Sequence, residues 1–428
     1  MKFFIHVLIL HTFLTFSLNG QNYTLYSTGN SNSIDTGASF GICLMGGATE
    51  SDEAMKWFLS RANGGDVVVL RTSGSDGYNS YFYSSLGVSV NSVKSFVCHN
   101  RNASYDSNLI SAIENAEAIW FAGGNQWNYI SYWRNTPIDS IINLKIQQKE
   151  IAIGGTSAGM AILGSYYFSA QNGSVTSATS LNNPFDSKVT LDTNQFIKIP
   201  FLESTITDTH YDTPDRKGRH SVFLARGLSA TGNHTKGIAC DEYTAVCIDS
   251  SGIASVFGGF PTYDDNAYFI QSNCEISNPL PETLSPSTPL TWFLGGKALK
   301  VYNIKGDSAG NNSFDLNTWQ TGTGGSWENW SIQSGSISFS SGLAPNCNST
   351  GVASKQNNQF TVYPNPFSDC FNVYSEMEII QIQIVSPVGK VRVLENKNQI
   401  CIENEAPGIY FLRCFYEEGS FTKKIIKD

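Results

Sequence analysis

Between residues 41 and 153, short apolar runs alternate with segments in which apolar residues recur at helical spacing. Gly41-Ile42-Cys43-Leu44-Met45, Asp66 to Leu70, Val93 to Cys98, Ala118-Ile119-Trp120-Phe121 and Ile151-Ala152-Ile153 are nearly continuous in apolar residues and too short for helices. Such runs predict strands buried on both faces. Between them, Glu50 to Ala62 (Ala54, Trp57, Phe58, Arg61), Leu109 to Ala116 and Ile138 to Lys149 have helical spacing, the last opened by Pro137. The alternation predicts an α/β fold with a central, mostly parallel sheet covered on both faces. Several strands stop at glycine-containing turns, at Gly46-Gly47, Thr72-Ser73-Gly74 and Gly123-Gly124. Open sheets bind ligands beyond the carboxyl ends of their strands, so these turns are where chemistry is expected.

The pattern changes near Gly306. Residues 306–357 are rich in Ser, Gly, Asn and Thr, carry Trp319, Trp327 and Trp330, and keep no helical period. They read as a β-rich extension passing into a linker near Asn346 to Lys355. From 358 to 428 short strands resume at Phe360 to Tyr363, Cys370 to Tyr374, Ile379 to Val385, Lys390 to Leu394, Ile409 to Phe415 and Phe421 to Ile426. Turn signals separate them, among them Pro364-Asn365-Pro366, Pro387-Val388-Gly389 and Pro407-Gly408, and the spacing predicts a small β-sandwich. The expected organisation is therefore a leader over 1–20, an α/β domain over 38–305, the extension and linker over 306–357, and the sandwich over 358–428.

Composition narrows the function. A charged fraction of 15% with 12% aromatics belongs to a globular chain rather than a disordered one. The net charge of -9, with no basic stripe, argues against nucleic acid as a partner. Lys2, the apolar stretch Phe3 to Leu18 and the site Leu18-Asn19-Gly20 predict a signal peptide, and hence a secreted or cell-surface protein. No later run reaches the roughly 20 apolar residues of a membrane helix, so no stable membrane span is expected. The nine cysteines form no Cys-x-x-Cys pair, and their odd number leaves at least one unpaired. A disulfide framework is not expected, and Cys43, Cys240 and Cys247 read as small buried hydrophobes. Cys98 and His99 lack a second ligand pair, so no metal is expected, and no cofactor either.

Three clusters carry candidate chemistry. Gly154-Gly155-Thr156-Ser157-Ala158-Gly159 fits G-x-S-x-G with a strand before it and an apolar helical stretch after it. A nucleophile on such a turn needs small neighbours, and the helix start offers N–H groups to an oxyanion. Gly306-Asp307-Ser308-Ala309-Gly310 fits the same pattern but begins no helix, so Ser308 reads as a solvated turn. For Ser157 the competing reading is a phosphate loop or a helix cap. In the second cluster, Asp208-Thr209-His210-Tyr211-Asp212, a histidine sits between carboxylates, and a serine hydroxyl needs a base. His6 and His11 fall in the leader, His99 and His234 among Asn and Gly in expected loops, and His220 in a helical run, which leaves His210. The third cluster, Cys240-Asp241-Glu242-Tyr243-Thr244, places acids at a strand junction where one can orient an imidazole. Glu242 is the first choice and Asp208 the competitor.

With Phe121-Ala122-Gly123-Gly124-Asn125-Gln126, Arg216, Arg219 and Ala245 added, these clusters resemble the dipeptidase E and cyanophycinase family of serine peptidases over about residues 38–305. The resemblance implies a flavodoxin-like, class I glutamine amidotransferase-like three-layer sandwich. It also implies Ser157 as nucleophile, His210 as base and Glu242 as acid. Gly124 and Ala158 would supply oxyanion N–H groups, and Gln126, Asp208, Thr209, Arg216 and Arg219 would border substrate. The order Ser, His, Glu differs from that of α/β-hydrolases. Thr209, Tyr211 and Pro214 depart from the cyanophycinase pattern of Asp-Gln-His-Phe and three spaced arginines, which puts cleavage of cyanophycin itself in doubt. Tyr363-Pro364-Asn365-Pro366-Phe367, Gly389-Lys390, Gly408 to Leu412 and Lys423 to Lys427 resemble the type IX secretion sorting domain, implying passage through periplasm and outer membrane with the type IX machinery as partner. The resulting expectation is an exported serine peptidase acting on peptide or isopeptide bonds, with a homodimer left open. The alternatives are a surface binding protein on the same fold, using the Trp-rich segment 319–330 for polymer, and an esterase or amidase.

Overall fold

The computed structural model describes residues 21–192, 196–347, 360–375, 378–386, 391–394, 399–402, 405–416 and 419–428. The leader over 1–20, most of the linker, the turn Pro387-Val388-Gly389 and Lys390 lie outside the described residues. The chain falls into two compact units, divided between Ser349 and Thr350.

Alternate residues of a strand face opposite sides of its sheet, and this sorts the central strands. Ile42, Leu44, Val68, Leu70, Ile119, Phe121 and Ile153 join one buried cluster, whereas Cys43, Met45, Val67, Val69, Trp120 and Ala152 join another. Five strands form the parallel core, in the order Ser92–Cys98, Asp66–Arg71, Ala118–Phe121, Ala152–Thr156 and Gly41–Met45. Helices Ser107–Glu114, Gln126–Trp133 and Pro137–Gln148 pack on the first face, and Asp52–Ser60 packs on the second. The result is the three-layer, flavodoxin-like α/β arrangement.

The sheet is longer than its parallel core. Tyr23–Gly29 adds antiparallel at one edge, and Ala245–Asp249, Ile253–Phe260, Asn312–Asp315 and Gly322–Thr323 add at the other. A second sheet of six strands runs Ser336–Ser341, Gly325–Gln333, Leu299–Lys305, Asn266–Ser272, Lys236–Cys240 and Thr205–Asp208, with only the last pair parallel. Helix Lys217–Thr231 covers it through Val222, Phe223, Leu224 and Leu228. Strands from 312–341 are thus hydrogen-bonded into both sheets of the first unit.

Trp319 and Trp330 are buried in the cores, at 2% and 0% exposure, whereas Trp327 is half-buried, so of the three only Trp327 is placed to meet a polymer. The second unit holds a three-stranded and a four-stranded sheet sharing one core, in which Phe371, Val373 and Ile400 meet Ile382, Leu412 and Ile425.

The cysteines correct the sequence reading. Cys274–Cys347 and Cys370–Cys401 are disulfides, and the second pair stands directly opposite in the register of two strands. Sheet register brings Cys370 and Cys401 together from 31 positions apart, and two turns meet to join Cys274 to Cys347 across 73, neither of which spacing alone reveals. Cys43, Cys98, Cys240, Cys247 and Cys414 are buried free thiols. Peptide mapping of the unreduced protein should find those two linkages, with the other five thiols alkylated only after denaturation. Exchange among the pairs, or alkylation of Cys43 or Cys247 in the folded protein, would contradict this packing.

Candidate active site

Ser157 immediately follows the strand Ala152–Thr156, which lies between Ala118–Phe121 and Gly41–Met45 in the parallel core. The short helix Ala158–Ala161 begins at the next residue. At Ser157 the backbone has φ 52° and ψ -117°, a conformation that L residues adopt only under constraint. Close packing supplies that constraint: a Cβ on Gly159 would collide with the carbonyl of Phe121. Ser308 has no such setting. Its turn is held by Asp307 Oδ1, which accepts from the backbone N–H of Ala309 (2.9 Å) and Asn311 (3.1 Å).

One loop ties the site together. The carbonyls of Met45, Gly46 and Gly47 accept, in succession, the backbone N–H groups of Ser157 (3.1 Å), His210 (2.9 Å) and Tyr243 (3.1 Å). Gly46 donates to the carbonyl of Thr244 at 2.9 Å. At Gly47 φ is 120°, and a side chain there would occupy the space of the His210 ring. His210 and Tyr243 also have positive φ, 47° and 62°. Three strained segments therefore converge on one glycine loop.

The side chains follow the backbone. Ser157 Oγ lies 2.7 Å from His210 Nε2, and His210 Nδ1 lies 2.6 Å from Glu242 Oε1. A carboxylate accepts only, so Nδ1 carries the proton, and neutral Nε2 then accepts from the serine hydroxyl. Glu242 is in turn fixed by its backbone N–H, which donates to Asp212 Oδ1 at 3.0 Å. The sequence places Asp212 in the second cluster and Gly46-Gly47 among the turns where chemistry is expected, but gives neither of them its role here.

Asp208, the competing acid, is engaged elsewhere. It is buried, accepts from Arg219 Nε at 2.9 Å and from Arg219 Nη2, and accepts the N–H of Thr209 at 2.9 Å. Burial alone would raise its pKa, but the Arg219 guanidinium outweighs it and the net shift is downward. Arg216 Nη1 stands 3.9 Å from the same carboxylate, while its buried Nε has no partner. His220 is fully buried with Nε2 3.2 Å from the carbonyl of Ile206, and burial pushes its pKa down to about 4.

The turn Gly123-Gly124 lies beside the serine: a Cβ on Gly123 would be 3.6 Å from Ser157 Cβ. Tyr129 Oη fixes that turn, sharing its one proton between the carbonyls of Ala122 and Gly123, both at 2.8 Å. Gln126 donates its side-chain amide to the Phe168 carbonyl, so this group holds a neighbouring loop. Ala158 opens the helix after Ser157, and the first N–H groups of a helix have no partner within it. Among the described residues no group of three or more His, Cys, Asp or Glu side chains is arranged to hold a metal, and no helix is long and apolar enough to cross a membrane.

Comparison with known proteins meets this geometry over the same segments. The model of peptidase family S51 matches residues 75–256. The chain carries an S51 peptidase domain. A secretion system C-terminal sorting domain matches residues 361–428, which marks the chain for export by type IX secretion to the cell surface or outside. A cyanophycinase from Geminocystis herdmanii is 25% identical over 230 residues, which span 51% of this chain and 77% of that one. A cyanophycinase from Trichormus variabilis is 25% identical over 154 residues, spanning 36% of this chain and 46% of that one. Among solved structures, a peptidase from an acI-B1 actinobacterium superposes with a TM-score of 0.40 and 15% identity, covering 53% of this chain and 90% of that one. The S51 domain and the sorting domain together describe a secreted peptidase.

Proposed function

We propose that the S51 domain is a serine peptidase that hydrolyses peptide or isopeptide bonds through a covalent acyl-enzyme. The observation that carries this reading is the unbroken chain from Ser157 Oγ to His210 Nε2 (2.7 Å) and from His210 Nδ1 to Glu242 Oε1 (2.6 Å). Ser157 attacks the carbonyl carbon as His210 takes its proton. Glu242 holds the imidazole in the accepting tautomer and stabilises its charged form. The N–H groups of Gly124 and Ala158 receive the oxyanion. His210 then returns the proton to the leaving amine, and water reverses the sequence on the acyl-enzyme.

An aspartyl residue beside the cleaved bond suits the surroundings, because Arg216 stands next to the site with an unpartnered Nε. The relatives named cyanophycinases point the same way, although Thr209, Tyr211 and Pro214 depart from their pattern. Of the other residues expected to border substrate, Gln126 is bonded to the Phe168 carbonyl, Thr209 is buried and Arg219 is committed to Asp208.

The test is a panel of α-aspartyl, β-aspartyl and neutral peptides, with matched esters and simple amides, given to the exported protein. Cleavage of aspartyl peptides, blocked by a serine-reactive phosphonate, is the expected result. Ester or simple-amide turnover without peptide cleavage would replace this reading by an esterase or amidase. No turnover of any substrate, with Ser157 unreactive and the fold intact, would make the protein a binder.

A further inference from the structure

Asp241 immediately precedes Glu242, is 3% exposed, and serves the turn rather than solvent. Its N–H donates to the Asn266 carbonyl at 2.9 Å, and its carbonyl accepts from the N–H of Thr244 at 3.3 Å. Its Oδ2 accepts from Asn266 twice, from the backbone N–H at 3.2 Å and from Nδ2 at 2.9 Å. Its Oδ1 is buried without a hydrogen-bond partner. Glycine is required at 46 because a Cβ there would strike the Asp241 carbonyl, so this residue also abuts the loop that holds Ser157 and His210.

A half-satisfied buried carboxylate is costly, and an apolar or amide side chain of the same shape avoids the cost. Such a group is retained where function uses it. We propose that Asp241 is the positioning residue of this site, a buried carboxylate that anchors the Glu242 turn and tunes the triad through its own ionisation. The catalytic half of this inference rests on the triad reading, and the stability half does not.

The groups facing Asp241 decide how it titrates. From the loop after Thr205–Asp208 come the Asp212 carboxylate and the Tyr211 phenol, from helix Lys217–Thr231 the Lys217 ammonium, from the strand Asn266–Ser272 the Tyr268 phenol, and from its own strand the Cys240 thiol. Burial is the largest influence and raises the Asp241 pKa to about 7. Asp212 adds to it, while the hydrogen bonds from Asn266 and the Lys217 charge oppose it. The folded carboxyl thus keeps its proton above the roughly 3.9 of an unfolded aspartate. Its contribution to stability is full below about 4 and is lost as pH rises through about 7. Near neutrality the turn beside Glu242 changes charge.

Asp241→Asn keeps an acceptor for Asn266 and removes the ionisation. Its melting temperature should exceed wild type at pH 8, with the gap closing towards pH 5. Its kcat should fall several-fold with KM unchanged, and its kcat profile should lack a transition near pH 7 that wild type shows. A variant profile that superimposes on wild type after scaling overturns the catalytic half. Equal melting temperatures at pH 8 overturn the stability half. Loss of the triad reading alone would appear as Ser157→Ala retaining activity, with the melting behaviour unchanged. If the variant does not fold, the carboxyl carbon resonance of Asp241 in isotopically labelled wild type decides. A midpoint near 7 is expected, and an ordinary aspartate midpoint overturns the proposal.

Discussion

Ser157→Ala is expected to lose on the order of a million-fold in kcat, because nucleophile and base act as a unit and removing one removes the pathway. The loss should appear in kcat, with KM little changed, since the hydroxyl does its work in the transition state. Folding should hardly notice. The constraint at residue 157 is backbone, set by Gly159 against Phe121 and by the bond to the Met45 carbonyl, and alanine keeps both. Urea unfolding of the variant should therefore match wild type within about 0.5 kcal/mol, the scatter of a change away from the core. Wild-type turnover in this variant would mean that the nucleophile is elsewhere.

The second large effect is on stability. Arg219→Ala leaves the Asp208 carboxylate buried and without its bidentate partner, a change that costs about 3–5 kcal/mol. Packing adds to the loss, since the guanidinium lies beside the stacked Phe168 and Phe223 rings, 5.4 and 5.9 Å from their centroids. Arg219→Lys should recover only part of it, because an ammonium cannot form the two parallel bonds. The pH dependence has a definite sign. Pairing holds the Asp208 pKa below its unfolded value, so this stabilisation is present above about pH 4 and is lost as pH falls through the folded pKa. Urea titrations at neutral and acidic pH should show the gap between wild type and Arg219→Ala narrowing on acidification. A variant as stable as wild type at neutral pH would contradict the buried pair.

Much of the core was legible because its strands are buried on both faces. Five continuous apolar runs marked the parallel core, each within a residue or two except Ile151-Ala152-Ile153, where the strand continues to Thr156. The second sheet escaped because strands such as Leu299–Lys305 mix apolar with Lys and Asn, and its members come from distant parts of the chain. The edge strand Tyr23–Gly29 is half exposed and carries no apolar run. Context around the serine separated Ser157 from Ser308, and chain order offered His210 and Glu242. The competition between Glu242 and Asp208 could not be decided from sequence, since it turns on Arg219, eleven residues away, folding back on Asp208. The hub at Met45 to Gly47 acts through carbonyl oxygens, which every residue possesses, so only its glycines left a trace. Asp212 stood in the histidine cluster without a role of its own, which comes from its bond to the Glu242 N–H.

The most direct test of the central claim is the site of attack itself. The exported protein treated with a fluorophosphonate should gain one adduct, mapped by peptide mass spectrometry to Ser157, absent in Ser157→Ala and slow to form in His210→Ala. An adduct on any other residue, or none on a folded protein, would contradict the assignment of Ser157 as nucleophile.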